Sequence, residues 1–180
     1  MIYRDFGKTN MRVSILGFGC MRLPMTEKDG NSIVDDGLAA PLLQRAVELG
    51  INFFDTHWFY CNFDSQRAVG AALRTMRDKV YISSKIRLDL VQKPEDFMKY
   101  LEISLEQMRL EYLDFYHFPA MSYGRWKETV LPMKLLDQAE KAKSRGLMRN
   151  LSFSFHSDAD KMHELIDKPI LVKYSLLKYT

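Results

Sequence analysis

Asp55, Tyr60 and Lys85 are side chains of the types that move a proton at neutral pH. A lysine ammonium near a phenol favours phenolate and lowers the tyrosine pKa, so the hydroxyl exchanges a proton close to neutrality. A carboxylate beside the ammonium holds it in place and keeps it charged. Asp55 opens the run Asp55-Thr56-His57-Trp58-Phe59-Tyr60, and Lys85 lies in the otherwise apolar KVYISSKI. A lysine in such a run needs an anion or a role, because charges are rarely buried alone. Taken singly, Asp55 also reads as a turn cap and Tyr60 as a half-buried aromatic. The weight lies in their conjunction. His117, Ser154 and His156 end later apolar runs.

These groups meet only if a regular scaffold presents them on one rim. Ile2 to Phe6 reads as a short strand, and GKTN as a hairpin turn in which Gly7 and Asn10 tolerate unusual backbone angles. Met11 to Cys20 reads as a strand ending in a glycine-rich turn. Further strands are predicted over Ile51–Asp55, Lys79–Ile86, Tyr112–Phe118 and Leu147–Phe155, with a sixth over Ile170–Leu177. Between them the apolar spacing predicts helices over Ala39–Leu49, stopped by Gly50, and over Ser65–Met76, with Ser65 as N-cap. Three more are predicted: from Lys93-Pro94-Glu95 to about Leu110, over Met133–Ser144, and over Asp158–Ile166.

Strand followed by helix, repeated, implies a parallel sheet with helices outside it. Gly17-Phe18-Gly19 lacks the third glycine of a dinucleotide fingerprint, and no Walker lysine motif is present. The expected architecture is therefore α/β of the (β/α)8 TIM-barrel type, preceded by a β-hairpin. A full barrel typically needs ~250 residues, so this chain holds about five to six of the eight units in one partial domain over residues 1–180. In such a barrel the carboxyl ends of the strands carry the chemistry, and Asp55, Tyr60 and Lys85 converge there.

The composition excludes several alternatives. With 47% hydrophobic and 27% charged residues, the 180-residue chain is ordinary globular material. Its net charge of +3, from 26 basic and 23 acidic residues mixed along the sequence, argues against a nucleic-acid partner. No apolar run is long enough to span a bilayer, and MIYRDFGKTN has no secretory h-region. Cys20 and Cys61 are expected to be reduced thiols in a cytoplasmic protein. His57, Cys61, His117 and His156 lack metal-ligand spacing. The eleven methionines are dispersed core filler. Trp58 and Phe59 suit an apolar substrate wall, or packing under a loop.

The ordered motifs YRDFGKTNMRVSILGFGCMRLP, GINFFDTHWFY, DSQRAVGAAL, KVYISSKI, YLDFYHF and GLMRNLSFSFH resemble the aldo-keto reductase family, in its bacterial branch related to iron-sulfur-tailed members. The resemblance covers Met1 to Asp167. It implies an oxidoreductase that passes hydride between NADP(H) and a carbonyl or alcohol substrate. Tyr60 is then the general acid, Lys85 tunes it, and Asp55 anchors the lysine. Gly19, Cys20, Asp55 and Ser154 are then the cofactor-binding positions, with Ser154 on the nicotinamide carboxamide.

Three departures qualify the resemblance. Gln66 stands where the family has glutamate. The family histidine falls two positions beyond His117, at Pro119, so either His117 substitutes for it or the carbonyl-polarising donor is missing and His117 is structural. After Asp167 the sequence no longer resembles the family, and strands six to eight and the iron-sulfur cysteines are absent. A truncated barrel exposes an open edge, which predicts either a homo-oligomer covering it or a marginally stable truncation. The competing expectation is a non-catalytic barrel that binds cofactor or a partner without turnover, or a decayed gene product.

Overall fold

The computed structural model describes residues 1–155 and 159–166. Strands β1 (Tyr3–Asp5) and β2 (Arg12–Ser14) form the expected antiparallel hairpin. Gly7 and Asn10 take φ of 54° and 59° in its turn. The single strand expected over Met11–Cys20 is instead two pieces, β2 and then β3 (Phe18–Gly19). The break has a local cause: the Ser14 hydroxyl donates to the Leu16 carbonyl at 2.7 Å, so side chain and ladder compete for the backbone. Asn52 then stitches the hairpin down, its side-chain oxygen accepting from Ser14 N–H at 2.7 Å and its amide donating to the Arg12 carbonyl at 2.9 Å.

A second hairpin, β4 (Met25–Lys28) with β5 (Asn31–Val34), was not among the expected elements. Its tip is Asp29-Gly30, both at positive φ (51° and 75°), the dipeptide that a tight hairpin turn favours. Helix α1 (Asp36–Glu48) starts ahead of the predicted Ala39 because Asp35 caps it, accepting from Leu38 N–H. Gly50, at φ 91°, ends it as expected. After β6 (Phe53–Asp55) comes α2 (Ser65–Leu73), where Asp64 rather than Ser65 holds the N-cap position. The helix stops before the predicted Met76, the chain tightening into a 3-10 stretch over Arg74–Lys79.

Strand β7 (Tyr81–Lys85) leads to α3 (Asp96–Met108), whose first residue accepts from the N–H groups of Gln92 and Lys93 at 2.9 and 3.1 Å. Strand β8 (Leu113–Met121) outruns its prediction and carries Pro119 within it. A short turn, α4 (Tyr123–Arg125), and a π turn at Trp126–Val130 precede α5 (Leu135–Ser144). Strand β9 (Met148–Phe155) and α6 (Ala159–Ile166) complete the described elements. His156 and the strand predicted over Ile170–Leu177 lie outside the described residues.

The sheet runs in the order β3-β6-β7-β8-β9, and the β3–β6 and β6–β7 pairs are parallel. Parallel strands alternating with helices are the α/β barrel-type arrangement that the sequence implied. The chain divides into two compact units, one of Met1–Ser84 with Ser104–Asp114 and one of Lys85–Ile103 with the described residues from Phe115 onward.

The first unit buries Leu43, Phe54, Leu73 and Ile82 completely, each contributing about 1.5–3 kcal/mol over exposure. One of its buried charges is Asp114, which accepts from Ile82 N–H at 2.9 Å and pairs with Arg77 at 2.7 Å, while Arg77 lies over the Tyr112 ring at 4.3 Å. The second unit packs Phe97 edge-on against Tyr116 and Phe118, with ring centroids 5.5 and 6.1 Å apart.

Two outcomes follow from the first unit. A Cβ added at Gly70 lies 2.1 Å from the Met108 carbonyl oxygen, and backbone on both sides leaves nothing to yield. Gly70→Ala should destabilise by about 1–3 kcal/mol and lower Tm by roughly 3–10 °C; an unchanged melt in far-UV circular dichroism would contradict this contact. Burial pushes the Asp64 carboxyl up, but hydrogen bonds from Arg67 and Val34 N–H outweigh it and hold the group below the usual carboxylate range. A depressed folded-state pKa contributes stability above the unfolded value, lost as pH falls through the folded one. Urea unfolding below about pH 4 should therefore show a shallower acid loss in Asp64→Asn than in the parent; parallel pH profiles would refute it.

Candidate active site

Within the first unit, β6 delivers Asp55 at its carboxyl end, opposite Gly19 of β3 and Ser83 of β7. The carboxylate is only 4% exposed, so it requires donors. One is the Ser83 hydroxyl, 2.8 Å from Oδ1. The next residue, Thr56, donates its N–H to the Ser83 carbonyl at 3.0 Å, continuing the ladder. The Ser65 hydroxyl donates to the Cys20 carbonyl at 2.8 Å and stands 2.8 Å from Thr56 Oγ1. Since Ser65 has one proton to give, Thr56 is the donor to Ser65. This chain of two hydroxyls ties the end of β3, the end of β6 and the start of α2 together, and it explains why Ser65 does not cap its own helix.

Tyr60 sits on a loop fixed at both ends. Its N–H donates to the His57 carbonyl, and its carbonyl accepts from Ser65 N–H, each at 3.2 Å. His57 is 2% exposed. Its Nδ1 accepts from Phe59 N–H at 3.3 Å, and its ring lies 4.2 Å from that of Phe59 and 5.3 Å from that of Tyr60. Trp58 is half-buried, whereas Phe59 is 48% exposed. Directly after the phenol, Cys61, Asn62 and Phe63 adopt φ of 51°, 55° and 67°. Left-handed backbone costs about 1–2 kcal/mol per non-glycine residue, so surrounding bonds must over-determine the loop. Those bonds include Cys61 Sγ to the Met21 carbonyl at 3.4 Å and the Asn62 amide to the Ser32 carbonyl at 3.4 Å. Both cysteines are thiols. Burial pushes the Cys61 thiol up, the opposite of a reactive thiolate.

Within the second unit, Lys85 ends β7 and is 5% exposed, so its ammonium is withdrawn from bulk water. The following residue, Ile86, donates its N–H to the His117 carbonyl at 3.0 Å. His117 is buried on β8, its Nδ1 hydrogen-bonded to the Ser152 hydroxyl and its ring parallel to Phe115. Ser154 accepts from Ala120 N–H at 2.8 Å. That bond leaves the Ser154 hydroxyl proton available to an acceptor.

The first unit thus gathers Gly19, Cys20, Asp55 and Tyr60 near the ends of β3 and β6. In the second, Lys85 ends β7 and Ser154 lies next to the end of β9, whereas His117, expected at the end of its run, is the fifth of nine residues in β8 because that strand continues to Met121. Among the described residues no group of three or more His, Cys, Asp or Glu side chains is placed to hold a metal. Sequence reasoning missed Ser83 and Ser152, which hold Asp55 and His117, and read Ser65, which holds the phenol loop, only as a helix cap. The signal was present: Ser83 stands two residues before Lys85 and Ser152 two before Ser154, on the same strand faces.

Comparison with known proteins matches these motifs. The sequence model of the Aldo/keto reductase family covers residues 15–177. The match thus runs past Asp167, beyond the motifs that carry the resemblance. L-galactose dehydrogenase of Arabidopsis thaliana is 29% identical over 154 residues, which make up 80% of this chain and 47% of that protein. The chain therefore spans about half the length of such relatives. An aldo-keto reductase of Bacillus halodurans in its holo form superposes with a TM-score of 0.77 at 21% identity, covering 99% of this chain and 58% of that one. The aldo-keto reductase of Klebsiella pneumoniae in complex with NADPH gives a TM-score of 0.74 at 21% identity, covering 98% and 58%. With the family pattern matched over most of the sequence and the barrel-type fold shared with solved members, the chain belongs to the aldo/keto reductase family.

Proposed function

We propose that this chain carries the reducing site of an NADP(H)-dependent oxidoreductase of aldo-keto reductase type, acting on a carbonyl or alcohol substrate. The observation that supports it most is the burial of two opposite formal charges, Asp55 and Lys85, at the carboxyl ends of strands consecutive in the sheet. Ionisable side chains withdrawn from water at the carboxyl ends of barrel strands are where such folds place their chemistry. The dihydronicotinamide, when bound, supplies a hydride to the carbonyl carbon.

Tyr60 gives its phenolic proton to the carbonyl oxygen. Lys85 stabilises the resulting phenolate, and Asp55 keeps the ammonium charged and oriented. His117 polarises the carbonyl: with Ser152 giving its proton to Nδ1, the imidazole carries its own on Nε2, the tautomer such a donor needs. The cofactor would lie against Gly19, Cys20 and Asp55, with the Ser154 proton donated to the carboxamide oxygen. Ser154 fits that task because its oxygen already accepts from Ala120 N–H. Trp58 and the exposed Phe59 form an apolar wall for the substrate.

The protein works in the cytoplasm, a place consistent with two thiols and no disulfide. Among the described residues no helix is long and apolar enough to cross a membrane. A second copy of the chain covers a sheet edge, since among the described residues β3 and β9 stand at the two ends of the strand order. Light scattering on the eluted protein should give a dimer or larger; a cooperative monomer would contradict that assembly.

Fluorescence titration with NADPH and turnover of a generic aromatic aldehyde test the reading. Tyr60→Phe should lower kcat by about 10²–10⁴-fold while NADPH affinity stays within roughly twofold. Turnover that survives the substitution excludes Tyr60 as the acid. Binding without any turnover in the parent favours the second reading, a cofactor-binding barrel without catalysis; Pro119 at the family's histidine position favours it too.

A further inference from the structure

We propose that Asp64 is a positioning residue for the Tyr60 phenol, clamping the turn that follows it. This role rests on the reducing reading given above. Asp64 acts through the proton donor and touches neither substrate nor cofactor.

An aspartate at a helix N-cap ordinarily accepts from the N–H groups of its own first turn. Asp64 holds that position on α2, yet its side chain makes no such bond. The carboxylate is turned instead to neighbouring elements. Its Oδ2 accepts from the N–H of Val34, the last residue of β5, at 2.8 Å. The Arg67 guanidinium closes on both oxygens, Nε donating to Oδ1 at 2.5 Å and Nη2 to Oδ2 at 2.8 Å. Arg67 is itself anchored to Asp36, the first residue of α1, by Nη1 and Nη2 at 2.9 and 3.1 Å. One carboxylate therefore joins the β4–β5 hairpin, α1 and α2 at a single point. A planar guanidinium fork fixes direction as well as distance there.

This point holds the turn that carries the phenol. Asp64 N–H donates to the Cys61 carbonyl at 3.1 Å, and Ser65 N–H to the Tyr60 carbonyl at 3.2 Å. Between them Cys61, Asn62 and Phe63 are left-handed, a conformation disfavoured at each of them. Cys61 Sγ and the Asn62 amide add neutral contacts, each at 3.4 Å, to the Met21 and Ser32 carbonyls. Hydrogen bonds to an ionised group are about twice as strong as neutral ones. The contacts of Asp64 therefore grip the turn more firmly than these do.

Helix stability alone would be served by a local cap. Turned outward, the carboxylate serves the turn, and a turn released from it relaxes and takes Tyr60 with it. Misplacing a reacting group by about 1 Å costs on the order of 100-fold in rate.

Fluorine NMR of the full chain labelled with meta-fluorotyrosine, together with steady-state kinetics, tests the role. The Tyr60 resonance is identified by its loss in Tyr60→Phe. In Asp64→Ala it should shift or broaden while the resonances of the other tyrosines stay in place. With NADPH and an aromatic aldehyde, kcat should fall by about 10–100-fold, and NADPH affinity should stay within roughly twofold, because Asp64 does not touch the cofactor. A Tyr60 resonance unmoved in folded Asp64→Ala overturns the role, as does an unchanged kcat where the parent turns over. Resonances moving throughout the chain overturn it too, since they mark a general loosening. A parent without turnover refutes the reducing reading instead, and the Tyr60 resonance then decides the positioning alone. If Asp64→Ala does not fold, Asp64→Asn is judged by the same signals, since it keeps an oxygen for Val34 N–H and loses the charge that Arg67 grips.

Discussion

A carboxylate taken out of water at the end of a parallel strand fixes more than its own position. Asp55 lies opposite Gly19 on one side and Ser83 on the other, and it accepts from the Ser83 hydroxyl. A one-residue slip of β6 against β7 would turn Asp55 to the opposite face and leave its charge among the apolar side chains packed there. The register of the sheet's first three strands and the burial of this charge are therefore one constraint. Phe54, one residue earlier and fully buried, enforces the same register from the other face.

From that fixed strand end, structure propagates through hydroxyl groups rather than charges. Thr56 donates to Ser65 and Ser65 to the Cys20 carbonyl, so α2 begins where two strand ends already meet. In the second unit Ser152 and Ser154 act in the same way, the first on the His117 ring and the second on the Ala120 N–H. Short hydroxyl side chains suit this work. They bridge backbone and ring atoms at hydrogen-bond distance without the desolvation that a further charge would bring.

Much of this was legible in the sequence, and the failures have physical reasons. Short apolar runs and helical spacing gave the parallel strands and α1, α2, α3 and α5, because burial on one face dictates a period. The boundaries shifted where a single polar group intervened: Asp35 extended α1 backward, and the Ser14 hydroxyl cut one strand into two. The β4–β5 hairpin announces itself through Asp29-Gly30, but its flanking residues are mostly exposed, so no apolar alternation accompanies the turn. The π turn at Trp126–Val130 carries no periodic signal at all. For the site, residue types and spacing pointed to Asp55, Tyr60 and Lys85. The serines that hold their surroundings share the strand faces of Lys85 and Ser154, but a buried hydroxyl carries no charge to set it apart from other small strand residues.

The three consecutive left-handed residues after Tyr60 bear on the order of assembly. An isolated chain rarely visits that conformation at one such residue, and far more rarely at three in succession. The segment therefore gains its shape only once the β4–β5 hairpin, the β3 end and α2 already stand ready to receive Asn62, Cys61 and Asp64. The phenol is accordingly among the last groups to be set in place, and a chain stalled before that step would have its strands and helices but no organised proton donor.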